Sequence, residues 1–463
     1  MRKTRSRSFP VLLMTLAFFA GLIYFIVNLY VHSSSWSSMP QNGHLSDGTG
    51  LEHAGTITDR NGVVLAHSVD GQRLYNDDEQ IRRACLHVVG DDSVNIGTAI
   101  QTVYRSEISG YNFVFGLGAP KDFQNGAGMT LTIDSAVQKA AYQALGSNRG
   151  AVVVYNYKTG EIICLVSTPT YDPQYKPEDI ETNDAYEGAY LNRALSSTYP
   201  PGSTFKLITA AAALESIDDV ENRKYMCTGS ENIGGKEISC VEASGEIDFA
   251  QALMYSCNCY FAHLSLELGK DKMTTKAELE GFNKNLIIDG IETATSKYDV
   301  TCANENELAW SGVGQYNVME TPINMAVRSA AIANGGTPVM PRIVRHIDGI
   351  ADPMLNIGSA KTGQAMMSPS VAQKLSDMME RTVNEYYGKY YVSDRLTVCA
   401  KTGTAEVGNG KPAHAWVTGF SKDEDCPLAF SVIVENGNSG YQAAIPVASA
   451  AINAAADALR SAS

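Results

Sequence analysis

At 463 residues, 44% of them hydrophobic, the chain has room for about two domains with a sizeable core. Its 36 basic residues against 50 acidic ones leave a net charge of −14 at neutral pH. That balance excludes a nucleic-acid partner, which needs clustered positive charge, and suits a soluble ectodomain.

The first element in chain order is an apolar run. Arg2, Lys3, Arg5 and Arg7 precede an uncharged stretch from Phe9 to Val31. A bilayer is crossed by about 20 apolar residues, and flanking positive charge stays in the cytoplasm. A cleaved signal peptide has an apolar core of only about 7–15 residues, so length favours a retained anchor with the remainder outside the cell. His32 to Gly50, rich in Ser and Gly, reads as a flexible stalk. Residues 51–128 form a small mixed region with scattered turn signals.

Two apolar runs follow, Ala151–Tyr155 and Ile162–Val166, with Lys158-Thr159-Gly160 as the loop of a hairpin. Next comes Tyr199-Pro200-Pro201-Gly202-Ser203-Thr204-Phe205-Lys206, leading into Leu207, Ile208 and Ala210–Leu214. Pro-Pro-Gly cannot continue a helix backwards, so a helix starts at or near Ser203. Positions i and i+3 share a helix face, which puts Lys206 Nζ within reach of Ser203 Oγ. A serine hydroxyl is a weak nucleophile until a neighbouring base takes its proton. A buried lysine has a lowered pKa and can serve as that base. Backbone N–H groups at the helix start favour negative charge beside them.

A bare S-x-x-K is weak alone, so partner motifs decide its meaning. S-x-N occurs at Ser93-Val94-Asn95, Ser230-Glu231-Asn232 and Ser256-Cys257-Asn258. The first two follow glycines and read as turns. The third sits in a helix-period pattern with Phe249, Leu253, Tyr260, Phe261 and Leu264; Tyr260 and Phe261 read as core. K-T-G also occurs three times. Lys158 heads the hairpin loop, and Lys361-Thr362-Gly363 follows Gly358 and shows no strand partner. Lys401-Thr402-Gly403-Thr404 follows the strand-like Leu396–Ala400 and precedes Ala415–Phe420 and Phe430–Val434. Context therefore selects Ser203, Ser256 and Lys401 as one set. The chain closes with an Ala-rich amphipathic helix, Val447 to Leu459.

Together the S-x-x-K, S-x-N and K-T-G motifs resemble the signature of penicillin-interacting serine transferases. Gly55-Thr56-Ile57-Thr58-Asp59-Arg60-Asn61-Gly62 is similar to the start of the pedestal of class B penicillin-binding proteins. Leu131-Thr132-Ile133-Asp134 with Val137-Gln138 resembles the start of their transpeptidase domain. Gly312-Val313-Gly314-Gln315, Thr321-Pro322 and His414-Ala415-Trp416 also match, so the likeness spans roughly residues 55 to 463. It implies an α/β (α+β) fold: a penicillin-binding/serine β-lactamase-like transpeptidase domain, residues 129–463, with an antiparallel sheet flanked by helices. It also implies a small mixed pedestal over 51–128, a stalk over 32–50, a transmembrane helix over 9–31 and a cytoplasmic tail over 1–8. The pedestal is short for the class, which points to a Gram-positive envelope.

The resemblance assigns roles to matching positions. Ser203 attacks the carbonyl of a stem peptide ending in D-Ala-D-Ala, and Lys206 accepts its proton. The backbone N–H groups of Ser203 and Thr404 hold the oxyanion. Ser256 passes a proton to the departing D-alanine, and Asn258 orients the substrate amide and fixes Lys206. Lys401 adds positive charge near the base and the substrate carboxylate, which Thr402 and Thr404 also meet, while Gly403 lets the strand approach closely. The acyl-enzyme then passes to an amine of a neighbouring stem peptide, forming a cross-link. The implied partners are peptidoglycan stem peptides, β-lactams acylating Ser203, and a membrane glycosyltransferase. No cofactor is implied.

Competing functions use similar residues. A class A β-lactamase needs a Glu that activates the deacylating water, and Glu278-Leu279-Glu280-Gly281-Phe282-Asn283 does not fit that motif. A D,D-carboxypeptidase, or a wall-synthesis scaffold or β-lactam sensor, stays open from sequence. The nine cysteines are an odd number for an exported chain. Cys227 and Cys240 flank a Gly-rich turn and could pair outside the cell. Cys257 and Cys259, two apart on a helix, are expected to face different ways. No Cys/His run has ligand spacing, so a metal site is not expected; His414 reads as structural.

Overall fold

The computed structural model describes residues 2–37, 51–109, 126–348, 359–387, 392–408 and 410–462. Its main sheet has five antiparallel strands in the order Val398–Ala405, His414–Ser421, Leu428–Val434, Gly150–Asn156, Ile162–Thr168. Strand residues alternate between faces, and here both faces are covered. Val152, Val154, Val417, Phe430 and Val432 pack with Val137, Ala141, Ile445, Ala448 and Ile452, on the helices Ser135–Leu145 and Ile445–Ala462. Ala151, Val153, Tyr155 and Ile433 belong to the opposite core, with Ala326 and Ala330 of the helix Pro322–Ala333. Two-sided burial explains why these strands read as continuous apolar runs.

A second five-stranded sheet joins three strands of residues 51–128 to two from the region that follows, in the order Val344–Ile347, Met129–Leu131, Ile57–Thr58, Val64–Val69, Gln72–Tyr75. Ile57–Thr58 runs parallel to Met129–Thr130 and antiparallel to the next strand. A division at 128/129 therefore falls inside a hydrogen-bonded sheet. The Gly55–Gly62 segment clamps the two parts. The Asp59 carboxylate accepts from the Ser135 N–H and hydroxyl at 3.0 and 2.7 Å and from the N–H groups of Asn61 and Val63. Arg60 and Arg342 both pair with Glu161, at 3.2 and 2.9 Å.

The N-terminal helix runs Arg2–Ser37. Its Phe9–Leu29 section has a mean hydropathy of 2.4 and is exposed, long and apolar enough to cross a membrane. Helix replaces the expected stalk over residues 32–37, and the stalk's remainder, 38–50, lies outside the described residues. Two further sequence expectations are corrected. Ser230-Glu231-Asn232 is not a turn but part of the strand Ser230–Ile233, paired with Lys236–Ser239. Lys361-Thr362 does have a strand partner, Val339–Met340, although both residues are exposed. Lys158-Thr159-Gly160 is the expected hairpin loop, and the closing helix matches its expected core with wider ends, Ile445–Ala462.

Candidate active site

Ser203 lies on a tight turn, Gly202–Phe205, of three-residue periodicity that leads into the α-helix Lys206–Ser216. The turn is fixed from several sides. The Thr204 hydroxyl donates back to Pro201 O at 2.8 Å. The Gly202 N–H donates to Gly314 O at 3.0 Å, and Trp416 Nε1 donates to Pro200 O at 3.0 Å. Phe205 stacks on Tyr298 and meets Phe282 edge-on. Gly202 has φ +55°, and a Cβ there would stand 2.5 Å from Thr404 O. Glycine is required because the Thr404 segment lies directly against the turn.

Lys206 is fully buried. Its Nζ contacts Ser203 Oγ at 3.2 Å, Ser256 Oγ at 3.0 Å and Asn258 Oδ1 at 2.7 Å, and also the Ser256 carbonyl. The Phe261 ring lies 5.8 Å away. Every partner is neutral, so burial dominates and the ammonium's pKa falls to about 8. A lysine so placed is neutral far more often than a solvated one and, in that form, can take a proton.

Ser256 does not lie within a helix as its pattern suggested. It occupies the break between the helices Phe249–Met254 and Asn258–Leu279, with φ +58°. Left-handed backbone at a residue bearing a Cβ costs roughly 1–2 kcal/mol, and the break aims its hydroxyl at both lysines. Lys401 Nζ reaches Ser256 Oγ at 3.0 Å and Thr402 O at 2.9 Å. Lys401 is also buried, and desolvation, with Lys206 as a second cause, holds its pKa well below the usual lysine value. One hydroxyl thus joins two amines, a route for moving a proton across the site. Asn258 is committed on both sides: Oδ1 to Lys206 and Nδ2 to Ser239 O at 2.7 Å.

The edge strand Val398–Ala405 closes the cleft. A Cβ on Gly403 would stand 2.9 Å from Pro201 O and from Thr204 Cγ2, so the strand passes against the nucleophile's turn. The Thr402 N–H donates to Tyr387 Oη at 2.7 Å, whereas the Thr404 side chain is exposed. The structure therefore gathers Ser203, Lys206, Ser256, Asn258, Lys401, Thr402, Gly403 and Thr404 about one cleft. Sequence reasoning missed Tyr387 and Ser239, which hold two of these residues. Neither belongs to a motif, so no local signal announces them. His414 meets Tyr199 edge-on, and its Nδ1 accepts the Asn436 N–H at 3.1 Å, consistent with a structural role.

Cys227 and Cys240, whose pairing the sequence left open, are unbonded with sulfurs 3.8 Å apart. Cys257 and Cys259 do not face apart: each Sγ lies 3.6 Å from Cys240 Sγ. Cys257 is the N-cap of its helix rather than an interior residue, so interior helical spacing does not apply to the pair.

Comparison with known proteins agrees with this geometry. The family described as penicillin binding protein transpeptidase domain matches residues 150–454. The peptidoglycan D,D-transpeptidase PbpA of Mycolicibacterium smegmatis is 31% identical over 361 residues, covering 71% of this chain and 72% of the relative. A ceftriaxone acyl-enzyme complex of penicillin-binding protein A from M. tuberculosis superposes with TM-score 0.75 at 26% identity, covering 88% of this chain and 99% of that one. The D,D-transpeptidase domain of a peptidoglycan glycosyltransferase from Eggerthella lenta gives 0.74 at 29% identity, over 88% and 98% of the two chains. The chain belongs to the penicillin-binding protein transpeptidase family, as a class B member.

Proposed function

We propose that the chain is a peptidoglycan D,D-transpeptidase in which Ser203 is the nucleophile and Lys206 its base. The observation that carries this reading is a fully buried amine, 3.2 Å from the serine hydroxyl, whose partners are all uncharged. Ser203 Oγ attacks the penultimate D-Ala carbonyl of a stem peptide while Lys206 Nζ takes the hydroxyl proton. The N–H groups of Ser203 and Thr404 receive the oxyanion. The proton returns to the leaving D-alanine through Ser256 Oγ, which touches both amines. Lys401 polarises Ser256 and adds positive charge for the substrate carboxylate. Thr402, Gly403 and Thr404 line the edge against which the peptide lies. An amine of a second stem peptide then resolves the ester and forms the cross-link. A β-lactam enters by the same attack and remains as an ester on Ser203.

The helix over Phe9–Leu29 anchors this assembly, with Arg2, Lys3, Arg5 and Arg7 on the cytoplasmic side and the catalytic region outside. Residues 51–128 serve as pedestal and 129–463 as the catalytic region, joined through their common sheet. Cross-linking consumes peptides borne on glycan strands, so a membrane glycosyltransferase is the partner reaction that supplies them.

The test is labelling with fluorescent penicillin followed by peptide mass spectrometry. The adduct is expected on the peptide containing Ser203, and Ser203→Ala removes it. An adduct elsewhere, or no labelling of the parent chain, overturns the reading in favour of a scaffold. Turnover of lipid-linked precursor with a polymerase then yields cross-linked dimer; tetrapeptide without dimer marks a D,D-carboxypeptidase instead.

A further inference from the structure

Behind the Ser256-Cys257-Asn258 segment lies a cluster of cysteine sulfurs that acyl transfer does not use. Cys240 Sγ stands 3.8 Å from Cys227 Sγ, 3.6 Å from Cys257 Sγ and 3.6 Å from Cys259 Sγ. The sulfurs of Cys227, Cys240 and Cys257 all lie within 4.8 Å of one another. They arrive from three places: the strand Tyr225–Cys227, the residue after the strand Lys236–Ser239, and the start of the helix Asn258–Leu279.

The spacing discriminates between chemistries. A tetrahedral zinc ion with Zn–S bonds of about 2.3 Å holds its sulfurs about 3.8 Å apart. A disulfide joins one pair at about 2.05 Å and would leave two of the four sulfurs unused. Cys227, Cys240 and Cys257 form a mutually close triangle of sulfurs, which suits a shared ion, whereas Cys259 lies beside Cys240 outside it and donates to Ile238 O at 3.4 Å. Backbone amides also converge on the sulfurs. The N–H groups of Asn258 and Cys259 donate to Cys240 Sγ at 3.2 and 3.5 Å, and that of Tyr260 donates to Cys257 Sγ at 3.4 Å. Such donors stabilise thiolates and orient them as ligands. Cys227 and Cys257 are each 1% exposed, and buried thiolate charge requires a cation.

We propose that Cys227, Cys240 and Cys257 supply three ligands of a structural zinc site, its fourth position taken by water, that clamps the Ser256–Asn258 segment to the hairpin before it. Cys257 sits between the two catalytic-cleft residues, and Cys240 follows Ser239, whose carbonyl holds Asn258 Nδ2. The ion fixes both ends of that contact and holds Ser256 in its left-handed conformation. Its binding displaces protons from the coordinating thiols. These cysteines are positioning residues: they act on the cleft through Ser256 and Asn258.

The test uses the full chain, purified in detergent and desalted, with zinc measured by plasma mass spectrometry. About one zinc per chain is expected. The Cys240→Ser, Cys257→Ser double variant loses it, and Cys302→Ser, at an exposed cysteine outside the cluster, keeps it. Should the double variant fail to fold, a strong chelator acts on the parent chain. Stripping zinc opens the three thiols to alkylation and slows penicillin acylation roughly tenfold, and added zinc reverses both. Zinc-free parent protein, or a disulfide between Cys240 and any neighbour, overturns the proposal. Metal content is read without substrate, so this failure is distinct from failure of the transpeptidase reading.

Discussion

Two buried lysines of this protein have opposite surroundings. Lys206 touches hydroxyls, a carbonyl and an amide oxygen. Lys276, 4% exposed, pairs with Glu215 at 2.9 Å and Glu280 at 3.3 Å and donates to Met366 O at 2.8 Å. Both amines are out of water, yet only one lacks a carboxylate. A lysine held between carboxylates contributes structure; one whose partners are all neutral is free to do chemistry. Burial supplies the raw material, and the partners decide its use.

The sharpest way to break this contrast is Lys206→Met. Loss of a positioned base costs about 10²–10⁴-fold in rate, so second-order acylation by penicillin should fall by that factor while the melting temperature holds. A drop of less than tenfold would make Lys206 structural like its counterpart. Lys276→Met should do the reverse. Leaving Glu280 buried without its partner costs roughly 3–5 kcal/mol, visible as an earlier denaturant midpoint, with acylation of the folded fraction unchanged. If acylation fell in step with Lys206→Met, the two lysines would not be separable.

Acidity tests the same distinction more gently. Lys206, with a pKa of about 8, works as a base only when neutral. Acylation should therefore rise with pH, reach half its limit near pH 8 and fall about tenfold per pH unit well below that point. A profile flat from pH 6 to 9 would show that the amine does not accept the proton. The smallest effect belongs to Lys158→Ala. This lysine heads the same Lys-Thr-Gly tripeptide as Lys401 but sits exposed on a hairpin loop, bonded to Asn334 Oδ1. Its loss should change stability by less than about 0.5 kcal/mol and leave penicillin labelling untouched.

Much of the site was legible because its signals are local. Pro-Pro-Gly followed by small residues announces the turn and helix that carry Ser203 and Lys206. Alternating and continuous apolar runs separate Lys401 from its two decoys. Other features depend on segments far apart in sequence. Ser256 lies 50 residues from Lys206 and 145 from Lys401, and its position in a helix break appears only once both amines pull on one hydroxyl. Helical periodicity pointed the wrong way there, because two helices flank the break. Lys361-Thr362 has a strand partner no pattern predicted, since two-residue strands carry too few residues to show a period. The sulfur cluster draws on two hairpin segments and a helix start, so spacing along the chain could not reveal it.

The sheet common to residues 51–109 and the region from 126 onward has a mechanical consequence. Ile57–Thr58 and Met129–Thr130 lie side by side in parallel, so separating the two parts demands that several main-chain bonds shear together. The Asp59–Ser135 bonds and the Arg60–Glu161–Arg342 pairs brace the same junction from its side. Among the described residues the two regions therefore keep a fixed spacing, so a force applied to one is passed to the other through folded protein.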